Sequence, residues 1–492
     1  MASLKQLAGQ TVIYGLSSIV GRLLNYLLVP LYTYKLATEA YGTVTEMYSY
    51  VAFLVVILMY GMETAFFRYN ETETDKIKVY STTLLSILAT SAGFLLLVGF
   101  FAQDIANILL YPQHKEYILW FGLIIAFDAI SAIPLALLRA QNKARRFVIV
   151  RLLFIGVNLG LNIFFIVLCP YFHENQMFAS FTSLVYDGEI SIKYIFISNL
   201  LASAIQLLIL TPEFMKVTRR FDIVLWKKMM IYALPLLVFG LAGIVNETLD
   251  RILIKYLMPQ DIAMSQLGIY GAVYKISILM TIFIQAFRYA AEPFFFAQAA
   301  QNDAKKQYAE VMNWFVIACS LIFLGTMLYL QDVIIFFIGP GFREGMPVIS
   351  VLLLANLFLG IYYNLSIWYK LTNKTIWGAY ISIFGAMVTI ILNILWIPVF
   401  GYVGSAWATL ICYFSMMLVS YLIGQKYYPV HYDLKRITGY IALAIILVSI
   451  SAFVSIESLV FRLIFNTILL LAFISIVLSI EKNKIKLLLK KG

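Results

Sequence analysis

Four basic side chains, Arg22, Arg251, Lys275 and Arg288, lie within long apolar stretches of this chain. So do the acidic Glu63, Asp128, Glu247, Asp250 and Glu292. None belongs to a hydrolytic, nucleotide-binding or redox pattern, because the sequence holds no GxSxG, HExxH, GxGxxG or CxxC. The three histidines (His114, His173, His431) and three cysteines (Cys169, Cys319, Cys412) are dispersed, so no catalytic residue and no metal site is assigned. What isolated charges can do is bind. A guanidinium fork matches two phosphate oxygens at once, so Arg22, Arg251, Lys275 and Arg288 in one cavity would suit a pyrophosphate-like anion. Local pairing is the plainer reading: Glu247 stands four residues before Arg251, and Arg288 four before Glu292. Asp128, Glu247 and Asp250 are candidates for a coupling cation, a proton or sodium, with ion pairing to a nearby Arg as the other reading. No organic cofactor is implied.

These charges need a reason because of where they sit. The chain is 62% hydrophobic and 12% charged, against roughly 25% charged in soluble domains. Its solvent is lipid, where a centrally placed charge costs roughly 2.5–3.5 kcal/mol. Runs of about 20 apolar residues predict fourteen spans, at 10–34, 42–67, 80–102, 116–138, 150–169, 193–212, 233–257, 268–294, 308–330, 347–369, 375–399, 402–424, 437–456 and 460–480. The first is too long for the apolar region of a signal peptide, and no small-residue cleavage site follows it.

The formal charge is +11. Its basic residues form no single stripe, which argues against nucleic acid as a partner. With fourteen spans and a cytoplasmic N-terminus, 26 of the 36 Lys and Arg fall in inner segments. Six fall outside (Lys35, Lys115, Lys193, Lys255, Arg343, Arg462), and the remaining four lie within spans. That bias predicts a multi-pass protein with both termini cytoplasmic. Residues 214–232 alternate basic and apolar side chains and predict an interfacial helix.

Two pairs of anchors predict a duplication. Arg22 precedes Gly42 of Tyr41-Gly42 by the same interval as Arg251 precedes Gly271 of Tyr270-Gly271, an offset of 229. Asn142-Lys143 and Asn162 recur as Asn373-Lys374 and Asn393, an offset of 231. Six spans per copy is an even number, so the copies share one orientation, as in parallel-repeat transporters. The predicted architecture is all-α: an N-lobe at 1–212, a linker helix at 213–232, a C-lobe at 233–424, and two extra spans with a basic tail at 425–492. Gly156-x-x-x-Gly160 and Gly401-x-x-Gly404-Ser405-Ala406 predict faces for close helix packing. Tyr14, Tyr26, Tyr270 and Tyr274 share spans with the basic residues and are either sugar-stacking platforms or lipid-facing bulk.

Arg22, the run VPLYTYKLATEAYG, the group Glu247, Asp250, Arg251, Gly268 and Tyr270, and the segment LNILWIPVFGYVGSAWATL at 392–410 carry a resemblance. Together they make the chain similar to the polysaccharide flippases, the lipid-linked repeat-unit transporters of the multidrug/oligosaccharidyl-lipid/polysaccharide exporter superfamily. The resemblance implies a MATE-like fold without enzymatic activity. It implies a cargo of undecaprenyl-pyrophosphate-linked oligosaccharide flipped outward across a bacterial inner membrane, as in lipopolysaccharide O-antigen synthesis. It also implies coupling to a proton or sodium gradient, a monomeric transporter, and polysaccharide polymerase and glycosyltransferases as partners. A lipid II flippase would share this architecture. A multidrug exporter would more readily have an acidic or apolar cavity. A membrane polymerase or ligase would need a long outer loop with catalytic basic residues, and 170–192 is short, with His173 inside it and Lys193 just after it as the basic groups.

Overall fold

The computed structural model describes residues 23–489 apart from 25, 219, 220 and 300, with side chains described as far as 482. Among the described residues there is no strand, and the principal helices, besides several shorter helical segments, are α1 (Leu28–Lys35), α2 (Thr38–Met59), α3 (Met62–Thr72), α4 (Lys76–Ile108), α5 (Lys115–Ala140), α6 (Ala144–Ile163), α7 (Lys193–Ile209), α8 (Ile223–Leu257), α9 (Gln260–Gln298), α10 (Ala304–Leu328), α11 (Ile349–Leu365), α12 (Ile376–Tyr427), α13 (Leu434–Phe453) and α14 (Leu459–Leu489). Eleven helical segments among the described residues are long and apolar enough to cross a bilayer, with Lys193–Ile209 a shorter apolar helix. The first predicted span lies largely outside the described residues.

Breaks follow the backbone. Tyr60 and Gly61 both have positive φ, 33° and 76°, and divide the predicted span 42–67 into α2 and α3. A Cβ on Gly61 would meet the Ala233 carbonyl oxygen at 2.6 Å, so glycine serves there both for its conformation and for the close approach of α8. Helix α12 is 52 residues long, but Gly401 (φ 59°, ψ −143°) interrupts it and separates the spans predicted at 375–399 and 402–424. The predicted interfacial helix over 214–232 is not a separate element. Asp222 accepts from the Val224 and Leu225 amides and caps α8, so residues 223–232 form that helix's first turns.

The chain forms two compact units, Met1–Gly268 and Ile269–Gly492. In the first, α4 packs on α5, α6 on α7, and α8 along α2 and α3. Its core includes Met62, Phe66, Leu84, Ile133, Met229 and Ala233. In the second, α11 packs on α12 around Ala355, Tyr362, Ile381, Cys412 and Tyr413, and α10 packs on α13. Helix α8, which the sequence repeat assigns to the C-lobe, packs within the first unit.

The duplication has a local structural signature in each unit. Asn142 and Asn373 both take φ 57° just past a helix end. The next amide, Lys143 or Lys374, donates back to Leu138 or Tyr369 at 2.8 Å in both copies. Asn162 Nδ2 donates to the Asn158 carbonyl at 2.8 Å, and Asn393 Nδ2 to the Thr389 carbonyl at 2.7 Å. Every one of these equivalences has the offset of 231 read from the sequence.

Two packing expectations change. Among the described residues nothing lies within 4 Å of a Cβ built on Gly156 or Gly160, and both glycines are exposed. That face is therefore not a close helix contact among the described residues. Gly404 does serve close packing, its added Cβ falling 2.7 Å from the Trp396 carbonyl oxygen across the Gly401 corner.

Candidate functional site

Arg22 lies outside the described residues. Arg251, on α8, is held by its own helix: Nη1 donates to the Glu247 carbonyl at 2.5 Å and stands 3.6 Å from Asp250 Oδ1. The local partner of Arg251 is thus the carboxylate of Asp250 and the backbone of Glu247, while the Glu247 side chain is exposed. A guanidinium oriented on two sides by a carbonyl and a carboxylate is positioned rather than free to wander.

In the second unit, Lys275 is half-buried on α9. Three turns further along, Arg288 Cζ stands 4.0 Å from the centroid of the Tyr363 ring. The pairing of Arg288 with Glu292 expected from their spacing is replaced by a longer-range one, in which Lys370 Nζ donates to Glu292 Oε1 at 2.6 Å. Arg288, Glu292, Tyr363, Asn364 and Lys370 line one pocket, and Lys275 is not part of its lining. Tyr270 and Tyr274 are buried, with centroids 5.8 Å apart in an edge-to-face contact.

Asp128, on α5, accepts a hydrogen bond from Ser203 of α7 at 3.0 Å. Arg151 of α6 acts on it electrostatically. Glu63 pairs with Arg139. Among the described residues no group of three metal-ligating side chains converges.

One cluster escapes the sequence reading. Glu46 on α2 is 0% exposed and Lys255 on α8 is 5% exposed. The Lys255 ammonium donates to both Glu46 oxygens, at 2.8 and 2.9 Å, and to the Leu109 carbonyl at 2.7 Å, which uses all three of its protons. Tyr50 donates to Glu46 Oε1 at 2.9 Å and Tyr111 to Oε2 at 2.5 Å. Lys255 also stands 4.0 Å from the Tyr111 ring centroid. Counting loop charges assigned Lys255 to an outer segment. Glu46 lies inside the span predicted at 42–67, so its placement among apolar residues was the available signal.

Beside this cluster, the start of α2 crosses the start of α9. A Cβ on Gly42 would fall 2.0 Å from the Met264 carbonyl oxygen, and one on Gly268 would fall 1.9 Å from the Thr38 carbonyl oxygen. The contact is reciprocal, with one shift of 226 residues carrying 42 to 268 and 38 to 264. Thr38 and Ser265 hydroxyls hydrogen bond at 2.7 Å across it. The sequence anchors pair Gly42 with Gly271, whereas the crossing pairs it with Gly268, one turn earlier on the same face of α9.

The model of the family described as "Polysaccharide biosynthesis protein" matches residues 7–299. An Lsg locus protein of Haemophilus influenzae is 20% identical over 426 residues, covering 83% of this chain and 98% of that protein. Among solved structures, lipid II flippase MurJ in an inward closed conformation aligns with a TM-score of 0.68 at 14% identity, over 95% of this chain and 99% of that one. An inward-facing multidrug resistance MATE family transporter of the MOP superfamily aligns at 0.64 and 13% identity, over 85% of this chain and 95% of that one.

Proposed function

The chain belongs to the polysaccharide biosynthesis protein family, and from that premise we propose that it flips an undecaprenyl-pyrophosphate-linked oligosaccharide from the cytoplasmic to the outer leaflet by alternating access. The observation that carries this reading is the reciprocal crossing of α2 and α9, set within a duplicated chain. Equivalent helices meeting about a local twofold can part and re-form without loss of either copy's own packing, which is what alternating access asks of a parallel-repeat bundle. The fold shared with a lipid flippase and a multidrug transporter supports transport over catalysis.

Arg251, oriented by Asp250 and the Glu247 carbonyl, is assigned to the pyrophosphate together with Arg22. Lys275 and Arg288 serve the same anionic head group. Asp128, Glu247 and Asp250 are the candidates for the coupling proton or sodium ion. Glycosyltransferases on the cytoplasmic side would supply the cargo, and an outer-leaflet polymerase would consume it, as in O-antigen assembly at a bacterial inner membrane. The termini would be cytoplasmic.

The test is a vesicle assay with purified protein, in which a lipid-linked oligosaccharide becomes accessible to an external sugar-cleaving enzyme. Arg22→Ala and Arg251→Ala should each abolish exposure of the cargo while the protein inserts at normal yield. Full activity in both would refute the cationic site. The structural likeness to a lipid II flippase favours one second reading, lipid II as cargo. Offering both lipids in the same vesicles separates the two, since preferential exposure of lipid II would replace the oligosaccharide reading.

A further inference from the structure

A buried ion pair is seldom retained for stability alone, because desolvating two charges cancels most of their attraction and an apolar pair of similar volume often does as well. The Glu46–Lys255 pair is among the most deeply buried in the molecule, and its polar valences are satisfied from three separate segments. Glu46 and Tyr50 come from α2, Leu109 and Tyr111 from the end of α4, and Lys255 from the last turn of α8. Lys255 stands just before the Met258-Pro259 corner that turns the chain into α9. The pair therefore holds the corner, and with it the first two turns of α9, against α2. There, Gly42 and Gly268 permit backbone contact and Thr38 bonds to Ser265. The charge bias of the loops assigns this end of the bundle to the outer face.

We propose that the Glu46–Lys255 pair is the latch of the outer gate, and that the gate is the α2–α9 crossing at Gly42 and Gly268. The inference rests on the alternating-access reading above and deepens it. For cargo to leave on the outer side, the start of α9 must come away from α2. Among the described contacts, the crossing itself shows close glycine approaches and one hydroxyl pair. The latch supplies the barrier: moving Lys255 away strips a carboxylate of its ammonium partner while two tyrosines remain, and a half-satisfied buried network is unfavourable. Closing restores every bond at once. Glu46 and Lys255 are thus positioning residues, which touch no cargo and act through the α8–α9 corner.

The test uses full-length protein with Cys169, Cys319 and Cys412 replaced by alanine, carrying Thr38→Cys and Ser265→Cys. The 2.7 Å hydroxyl contact places the two sulfurs within bonding reach. The rate of disulfide formation under mild oxidation then reports how often the crossing is closed, without any substrate. With the latch intact the disulfide should form readily. Glu46→Gln and Lys255→Met should each slow it by about tenfold, or about 1.4 kcal/mol of lost closure. The swap Glu46→Lys with Lys255→Glu should recover most of the rate, which a merely misfolded variant could not do. Oxidised protein in the vesicle assay should lose transport, and reductant should restore it. Equal cross-linking rates in the intact and single-variant proteins would overturn the latch, as would undiminished transport with the disulfide closed. If cross-linking follows the latch while even reduced protein exposes no oligosaccharide, the cargo assignment fails and the latch stands.

Discussion

Replacing Gly268 with alanine tests the α2–α9 crossing most directly. The new methyl would lie 1.9 Å from the Thr38 carbonyl oxygen, whereas ordinary contact begins near 3.4 Å, so the helices must separate by about 1.5 Å at that point. The obstructing atom is backbone, which cannot swing aside as a side-chain tip can. A movement of that size also stretches the 2.7 Å Thr38–Ser265 bond beyond hydrogen-bonding range. Overpacking costs about 1–3 kcal/mol, and an interhelical hydrogen bond in a membrane protein is worth about 0.6 kcal/mol, so Gly268→Ala should cost about 2–3 kcal/mol. Gly42→Ala should behave alike, because its methyl meets the Met264 carbonyl at 2.0 Å. The double variant should cost less than the two singles together, since one separation relieves both clashes. Thermal unfolding of the detergent-solubilised protein measures this. Gly439→Ala on α13 is the control, because nothing among the described residues lies within 4 Å of its added Cβ. Alanine there should be neutral or stabilising by up to ~1 kcal/mol. If Gly268→Ala melts no lower than the parent and the Gly439→Ala control, the close crossing does not exist in the membrane protein as purified.

Further outcomes follow from other sites. Asn142→Ala and Asn373→Ala should each cost about 1 kcal/mol in thermal unfolding, because a Cβ without a local polar partner is disfavoured at φ 57°, and glycine at either position should be tolerated. Glu213 is 2% exposed and accepts from Arg146 Nε and Nη2 at 2.8 Å each. Arg146→Met alone should therefore lower stability by about 1–3 kcal/mol, with Glu213→Gln added to Arg146→Met recovering part of the loss in the same melt. The Asp222 carboxyl is held below its ordinary range by Lys78 and by the Leu225 and Val224 amides. Its cap is complete above the ordinary aspartate range and weakens as pH falls through the depressed value, so Asp222→Asn should remove that acid sensitivity from a pH series of melting temperatures. Single cysteines at Arg145, Ser180, Arg220 and Pro340 should label from inside, outside, inside and outside respectively with a membrane-impermeant maleimide, and any reversal would break the assigned topology.

Much of the fold was legible because lipid imposes a one-dimensional code. A backbone that must satisfy its own hydrogen bonds in hydrocarbon forms helices, and apolar run length marks them out. The duplication was legible at Asn142 and Asn373 for a similar reason: a left-handed residue after a helix is a local demand that Asn meets in both copies. Of the candidate site, the sequence identified Arg251 and Arg288 as charges needing a reason but assigned their local partners by spacing alone. Side-chain reach decided otherwise, giving Arg251 to Asp250 and a backbone carbonyl, and Arg288 to Tyr363.

The sequence by itself determined a helical membrane protein, duplicated at an offset of 231, with rare charges embedded in its spans. Only the tertiary structure decided that Glu46 and Lys255, 209 residues apart, share one buried cluster, and that Gly42 meets Gly268 rather than the Gly271 its anchors suggested. The reason is physical. Span formation depends on each segment's own transfer into lipid, which composition records. Which turn of one helix faces another depends on how closely two backbones approach, and no single segment carries that information.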